Sequence, residues 1–249
     1  MHDIHRVRVG IKRIKAVHRM LGSSFPERFK AKALNKPYKI VFRTLGVYRE
    51  TLISINLIKK IVKIGKIRKA YHSYLKPSLS IMEDEIAGAI TNFEFNPESE
   101  ESVQVIKTLN DLSLEDEVRI LTSYIDNQRL KAKLLLNESE GYNELHSIRI
   151  LLKNIKPFLK LLATQELSRF TTADFSRLNR TESIIGKWHD KSMLYVSLEE
   201  FEKKNSKDAE SWIRSYMRLL GRIEKQEIRQ LSGIRASVAS CLSSLSPVE

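Results

Sequence analysis

The sequence has few of the residues that disulfide-bonded, loop-rich or membrane-spanning proteins need. Its 249 residues include one cysteine, Cys241, which excludes an internal disulfide and a cysteine-rich metal site. Nine glycines and six prolines are few for a β-rich chain. No apolar run approaches the roughly 20 residues of a membrane helix, and the amino terminus lacks the layout of a signal peptide. We therefore expect a cytoplasmic protein without membrane-spanning segments.

Positive charge is abundant and unevenly distributed. The chain carries 43 basic and 30 acidic residues, a net charge of +13. Residues 1–76 contain 20 lysines and arginines against three acids, whereas residues 77–139 contain five against 13. An imbalance of this kind favours a polyanionic partner, such as nucleic acid, an anionic membrane or a phosphate polymer.

The hydrophobic residues recur at helical spacing almost throughout, and Asn-Gly and Asp-Gly hairpin turns are absent. The sequence therefore predicts an all-α protein. The predicted helices cover about 2–21, 37–71, 78–94, 114–137, 142–164, 174–204 and 208–243. Pro97 and the acids after it predict a surface connection, and Pro157 predicts a kink in the helix at 142–164.

A charged motif occurs twice, 141 residues apart. The first copy comprises His5, Arg8, Lys12, Lys15 and Arg19, and the second comprises His146, Arg149, Lys153, Lys156 and Lys160. Each set lies within an arc of about 80° on its helix. Because adjacent positive charges repel each other, an anion that spans them is the usual reason to keep such a stripe.

An apolar stripe borders each basic stripe. Its members are Ile4, Val7, Ile11, Ile14, Val17 and Leu21 in the first copy, and Leu145, Ile148, Leu152, Ile155, Phe158 and Leu162 in the second. We expect both apolar stripes to be core, so that the basic residues line a groove between helices. Charge reversal at Arg8 and Arg149 together is then expected to weaken anion binding without unfolding the protein.

A second pair of matching segments, 45–50 and 185–190, follows at an offset of 140. Their glycines, Gly46 and Gly186, each cost about 1 kcal/mol in a helix relative to alanine, which predicts close helix contacts. Two matched blocks in one order predict an internal duplication. We expect two pseudo-symmetric antiparallel helical bundles, 1–139 and 140–249, forming one compact domain over 1–249.

Further basic residues share faces on other helices. They are Lys59 and Lys63 in the first half, and Arg214, Arg218 and Arg222 near the carboxyl end. If these faces converge with the two stripes, they form a long electropositive groove or pore, which suits a linear polyanion. The chain has no Gly-rich phosphate loop, so no nucleotide cofactor is expected.

Two interpretations of the matched acids and histidines remain open at this point. Glu50 and Asp190 could hold a metal ion for phosphoanhydride hydrolysis, but an ion pair that orients the helix cations is favoured, and no metal site is expected. His5 and His146 could each donate to phosphate oxygens, or each could be a structural residue that forms a hydrogen bond beside the core. Nucleic-acid binding is the main alternative function, although stacking aromatics are not interleaved with the basic residues.

The two motifs resemble the signature of the conserved histidine α-helical domain (CHAD) family. The resemblance is carried by His-x-x-Arg-Val-x-x-Lys-Arg-Ile-Lys at 5–15, its second copy at 146–156, and the Gly-x-x-(Arg/His)-acid blocks at 46–50 and 186–190. It implies two helical bundles that bind inorganic polyphosphate without catalysis, in the cytoplasm and at polyphosphate granules, with no membrane partner. Glu50 stands where the family has Asp, and Asn154 replaces a basic residue. The residues expected to be structural are Gly46, Arg49, Glu50, Gly186, His189 and Asp190.

Overall fold

The computed structural model of the chain describes residues 2–62, 65–138, 142–205 and 213–247; among these, the side chains of 2, 142, 205, 213–220, 224 and 227 lie outside the description. Over the described residues the chain forms nine helices and no strand, which confirms the all-α class. The helices are α1 (His2–Ser24), α2 (Ala31–Leu34), α3 (Lys39–Ile61), α4 (Gly65–Thr91), α5 (Glu100–Asn110), α6 (Leu114–Glu138), α7 (Tyr142–Leu162), α8 (Thr172–Asn205) and α9 (Ile213–Ser244).

The predicted long helix at 37–71 is wrong, because α3 ends at Ile61 and α4 begins at Gly65. Glycine has low helix propensity, so a helix boundary beside it is favourable. The predicted start of the next helix at 78 is also wrong, because α4 runs from Gly65 to Thr91 with Pro77 inside it. The neighbouring Tyr74 and Leu75 pack against a buried cluster, and such packing counteracts the roughly 3 kcal/mol that an interior proline costs.

Helix α5 was not predicted, since Pro97 and the acids after it were interpreted as a surface connection. Ser99 is the N-cap of α5, and its hydroxyl accepts a hydrogen bond from the backbone N–H of Ser102 at 3.3 Å. The acids Glu100 and Glu101 lie in the first turn, where they complement the positive end of the helix dipole. The acidic run is therefore a helix start.

The chain divides into two compact units, and each is assembled from three segments. Unit 1 comprises Met1–Arg8, Ile40–Asn92 and Gly186–Gly233, and unit 2 comprises Val9–Lys39, Phe93–Ile185 and Ile234–Glu249. Both units include parts of α1, α8 and α9. The predicted repeats, 1–139 and 140–249, divide the chain differently, and the internal duplication stays a prediction.

The core of unit 1 is built from α3, α4, α8 and α9. Tyr71 is fully buried, and its hydroxyl lies 2.7 Å from that of Ser197. The rings of Tyr71 and Phe201 meet edge to face with centroids 5.6 Å apart, and Tyr74 packs on Phe201 at 5.2 Å. The buried cluster consists of Ile58, Val62, Ile67, Tyr71, Leu194, Leu198, Phe201 and Ile223.

The core of unit 2 is centred on the apolar face of α7. All six residues predicted for its core stripe are buried, from Leu145 to Leu162. The ring of Tyr124 on α6 packs edge to face on Phe158, with centroids 5.5 Å apart. The predicted apolar face of α7 is thus confirmed.

The predicted core face of α1 is wrong at two positions. Val7 and Ile14 have exposed fractions of 48% and 37%, whereas Arg8, Ala16 and Met20 are buried. The buried side of α1 therefore includes Arg8 of the basic stripe and coincides only in part with the apolar stripe.

Unit 2 also holds the carboxyl end of α9 with two arginines. Arg169 Nη1 donates to the carbonyl oxygen of Leu245 at 3.1 Å, and Arg129 Nη1 donates to the hydroxyl of Ser246 at 2.9 Å. Asp126 lies beside both guanidinium groups, 2.5 Å from Arg169 Nη2 and 3.8 Å from Arg129 Nε. Cationic side chains at a helix end complement its free carbonyl groups. None of the described helices combines the length and apolar composition needed to cross a membrane.

Candidate anion-binding site

Three cations of α7 converge on one carboxylate of α8 in unit 2. Glu182 Oε1 lies 3.8 Å from Arg149 Nε and 3.6 Å from Lys153 Nζ, and Glu182 Oε2 lies 3.2 Å from Lys156 Nζ. Spacings of four and three residues place the three cations on one face of α7. We call this group, Arg149, Lys153, Lys156 and Glu182, the α7 cluster.

The packing of α8 explains the position of Glu182. Leu178 and Ile185, four residues before it and three after it, are fully buried. Glu182 lies on the same side of the helix as these two residues, and its side chain is only 14% exposed. The carboxylate is therefore held at the border of the core, beside the basic stripe of α7.

The charges of the α7 cluster keep Glu182 ionised. Burial by itself would raise the pKa of this carboxyl, but the positive charges of Lys153, Lys156 and Arg149 outweigh burial and lower it. Within the part of the chain that the structure describes, Arg149 Nε has no hydrogen-bond acceptor, and it is buried. One negative charge is thus shared among three positive charges, and of these three described cations only Lys156 lies within hydrogen-bond distance of it.

Helix α1 places further basic residues in unit 2. Arg19 Nη1 donates to Asn154 Oδ1 on α7 at 2.7 Å, so this part of α1 lies beside α7. Asn154 is 8% exposed and replaces the basic residue of the first motif copy. A cation at this position would lie against Arg19, so the neutral amide is explained by its partner. Lys12 and Lys15 are half-buried on the same helix.

Arg8 belongs to unit 1, where its side chain is buried and contacts Phe42. Its Nη1 donates to the carbonyl oxygen of Phe42 at 2.6 Å, and its guanidinium lies 4.4 Å from the centroid of the Phe42 ring. Burial lowers the pKa of Arg8, as does the charge of Arg49, while Glu50 acts in the opposite direction. Arg8 is 6% exposed, so its reversal would bury a carboxylate. The expectation that such a variant stays folded is not supported.

The other expected anion ligands differ in position and exposure. Those in unit 2 are half-buried, namely Lys12, Lys15, Arg19 and His146, or exposed, as Lys160 is. Those in unit 1 are exposed, namely His5, Lys59 and Arg222. Lys63 and the side chains of Arg214 and Arg218 lie outside the described residues. The convergence of all stripes into one groove stays a prediction.

The residues expected to be structural also differ among themselves. A Cβ atom on Gly46 would lie 2.7 Å from Arg8 Nη1, so the close contact expected at this glycine is made by an arginine side chain. Gly186 is buried, Arg49, His189 and Asp190 are half-buried, and Glu50 is exposed. The acid that contacts the basic stripe of α7 is Glu182, which the sequence analysis did not identify. Its signal was an acidic residue on the face of α8 that carries Leu178 and Ile185.

Within the described residues, no group of three or more His, Cys, Asp or Glu side chains could hold a metal ion. Comparison of the chain with protein-family models, with curated proteins and with solved structures gave no match. The resemblance to the CHAD family therefore rests on the two sequence motifs.

Proposed function

We propose that the protein binds inorganic polyphosphate without catalysing its breakdown, as the resemblance to the CHAD family implies. The α7 cluster is the observation that carries the proposal, because three partly buried cations share one carboxylate at a fixed spacing. Lysine and arginine form charge-assisted hydrogen bonds with phosphate oxygens. The binding surface in unit 2 comprises Arg149, Lys153, Lys156 and Lys160 of α7, with Lys12 and Lys15 of α1.

A linear polyanion fits the arrangement of charge better than a single small anion does. The cations from Arg149 to Lys160 span twelve residues of α7, and the eleven steps between the first and the last correspond to about 16 Å of helix. Neutralising several of them at once releases counterions, which makes the affinity strongly dependent on salt. We place this activity in the cytoplasm and at polyphosphate granules.

The proposal assigns no catalytic role to the site. A general base needs a pKa near the working pH, whereas the cations around Glu182 lower the pKa of its carboxyl. Glu182 is therefore a weak base at neutral pH. Of the two acids considered for catalysis in the sequence, Glu50 is exposed and Asp190 is half-buried, and both belong to unit 1.

The test is a competition at fixed ionic strength. Labelled long-chain polyphosphate is bound to the protein and then challenged with duplex DNA, single-stranded RNA, heparin and ATP. We expect polyphosphate to resist displacement by orders of magnitude in competitor concentration and to remain intact. Equal competition by nucleic acid would contradict the preference for polyphosphate, and shortening of the polymer would contradict the non-catalytic role.

A matched pair of variants locates the site. Lys153→Gln with Lys156→Gln removes two cations of the α7 cluster, and Lys131→Gln with Lys133→Gln removes two exposed lysines of α6 in the same unit. By analogy with nucleic acids, each lost phosphate contact should reduce the slope of log affinity against log salt by roughly 0.7–0.9. We expect this reduction only in the α7 variant. Equal effects of both pairs would show that the binding is unspecific.

A further inference from the structure

The carboxylate of Glu182 lies near three cations but forms a hydrogen bond with one of them. Its Oε1 is shared by Arg149 Nε and Lys153 Nζ at 3.8 and 3.6 Å, which are longer than hydrogen bonds. Only the 3.2 Å contact from Lys156 to Oε2 is within that range. A carboxylate can accept two hydrogen bonds at each oxygen, so the distances, not the number of acceptors, leave Arg149 Nε and Lys153 Nζ without a hydrogen bond to Glu182.

A phosphate group matches these donors better. It offers three or more strong acceptor oxygens and up to two negative charges, so each cation could donate to an oxygen of its own. Arg149 Nε has no acceptor among the described residues and is buried, so an unsatisfied donor lies 3.8 Å from the carboxylate of Glu182. The position of the Glu182 carboxylate is thus the position in which a single phosphate group would receive all three donors.

We propose that Glu182 is an internal substitute for one phosphate group, and that the ligand displaces its carboxylate from Arg149, Lys153 and Lys156. In the free protein, Glu182 holds the three side chains together and limits their repulsion. In the bound protein, a phosphate group takes its place. Glu182 therefore sets the affinity of this subsite by competing with the ligand. The inference rests on the proposed function for the identity of the polymer, but its ligand class is the phosphate group itself.

The test measures the binding of orthophosphate and of tripolyphosphate to Glu182→Gln by calorimetry at fixed ionic strength. The matched control is Glu166→Gln, which makes the same change in net charge at an exposed position of unit 2. We expect Glu182→Gln to bind both anions at least about tenfold more tightly than the control does. A unit negative charge within 4 Å repels a bound anion strongly even at a high effective dielectric constant. Equal affinities of the two variants would overturn the inference.

A second variant keeps the test decisive if Glu182→Gln does not fold. Glu182→Asp retains the charge but withdraws the carboxylate by one methylene, so it should compete less and bind tripolyphosphate more tightly than the wild type. An unchanged or weaker affinity would contradict the competition. This result is separable from the proposed function. Failure of polyphosphate to outcompete nucleic acid would reject the proposed polymer, whereas the orthophosphate measurement concerns only the subsite.

Discussion

Arg8 donates to the carbonyl oxygen of Phe42 at 2.6 Å and lies 4.4 Å from the centroid of its ring. The offset of 140 that aligns the second pair of sequence blocks aligns Phe42 with Glu182, and Glu182 contacts Arg149. Arg8 and Arg149, which match in the sequence motifs, thus contact Phe42 of α3 and Glu182 of α8, while the internal duplication stays a prediction. One contact uses a ring and a carbonyl group, and the other uses a carboxylate.

Gly46→Ala should destabilise the protein, although alanine is the better helix former. The new methyl group would lie 2.7 Å from Arg8 Nη1 and would push the guanidinium away from the carbonyl group of Phe42. The matched control is Gly88→Ala, where the methyl group would meet no atom within 4 Å. We expect urea unfolding to show a loss of about 1–3 kcal/mol for Gly46→Ala and a gain of up to about 1 kcal/mol for Gly88→Ala. A similar gain in both variants would contradict the role of Gly46.

Asn154→Arg restores the residue type of the first motif copy, but it should lower the stability of the protein. The amide oxygen of Asn154 accepts from Arg19 at 2.7 Å in a buried position, so an arginine there places two cations together. We expect a loss of at least about 2 kcal/mol in the free energy of unfolding, since a buried charged group is left without a partner. The variant Asn154→Asp keeps an acceptor for Arg19 and serves as the control. Wild-type stability of Asn154→Arg in chemical unfolding would contradict this account.

The α7 cluster should make stability depend on pH at the acidic end. The pKa of Glu182 is lower in the folded protein than in the unfolded chain. Its contribution is therefore complete above the unfolded value of about 4.3 and is lost as the pH falls through the folded value. Glu182→Gln should be less stable than the wild type at pH 7 by roughly 1–3 kcal/mol, and this difference should shrink below about pH 4. Denaturation curves between pH 3 and pH 7 measure it, with Glu166→Gln as the control; a difference that does not change with pH would contradict the assignment.

Cys241 should report on the unfolding of unit 2. Its side chain is fully buried, and burial raises the pKa of the thiol to about 11. Because the thiolate is the reactive form, we expect a thiol reagent at pH 8 to modify the native protein only at the rate of unfolding. Denaturant should restore the rate of a free cysteine. Complete modification of the native protein within minutes would show that the site opens without unfolding.

Sequence periodicity predicted the elements whose burial follows from apolar residues alone. The six-residue stripe of α7 is buried as expected, and the ends of α6, α7 and α8 lie within about two residues of their predicted positions. Periodicity predicted the buried face of a helix wrongly where a polar residue enters the interior. Arg8 takes an inward position on α1, whereas Val7 and Ile14 are exposed. No hydrophobic pattern can indicate that a guanidinium is satisfied by a distant carbonyl group and ring.

The candidate site was predicted in part for the same reason. The spacing of Arg149, Lys153 and Lys156 placed them on one face, and the structure brings them together. Glu182 was missed because its partners lie on another helix, and an acid on a helix face is usually solvated. Asn154 was considered a departure from the motif, but it is an acceptor for Arg19. Pairing across helices gives these residues their roles, and such pairing is not contained in a local pattern.

The arginine contacts at the end of α9 bear on synthesis of the chain. The ribosome synthesises Arg129 and Arg169 well before their hydrogen-bond acceptors, Ser246 and Leu245. Unit 2 also draws on 9–39, 93–185 and 234–249. In a nascent chain halted at residue 233, unit 2 would lack its third segment, and Arg129 and Arg169 would lack these acceptors. Folding of unit 2 must therefore be completed after 234–249 leaves the ribosome. Until then, unit 2 lacks the buried side chains of Val238 and Leu242, and the apolar surface that packs against them can bind a chaperone.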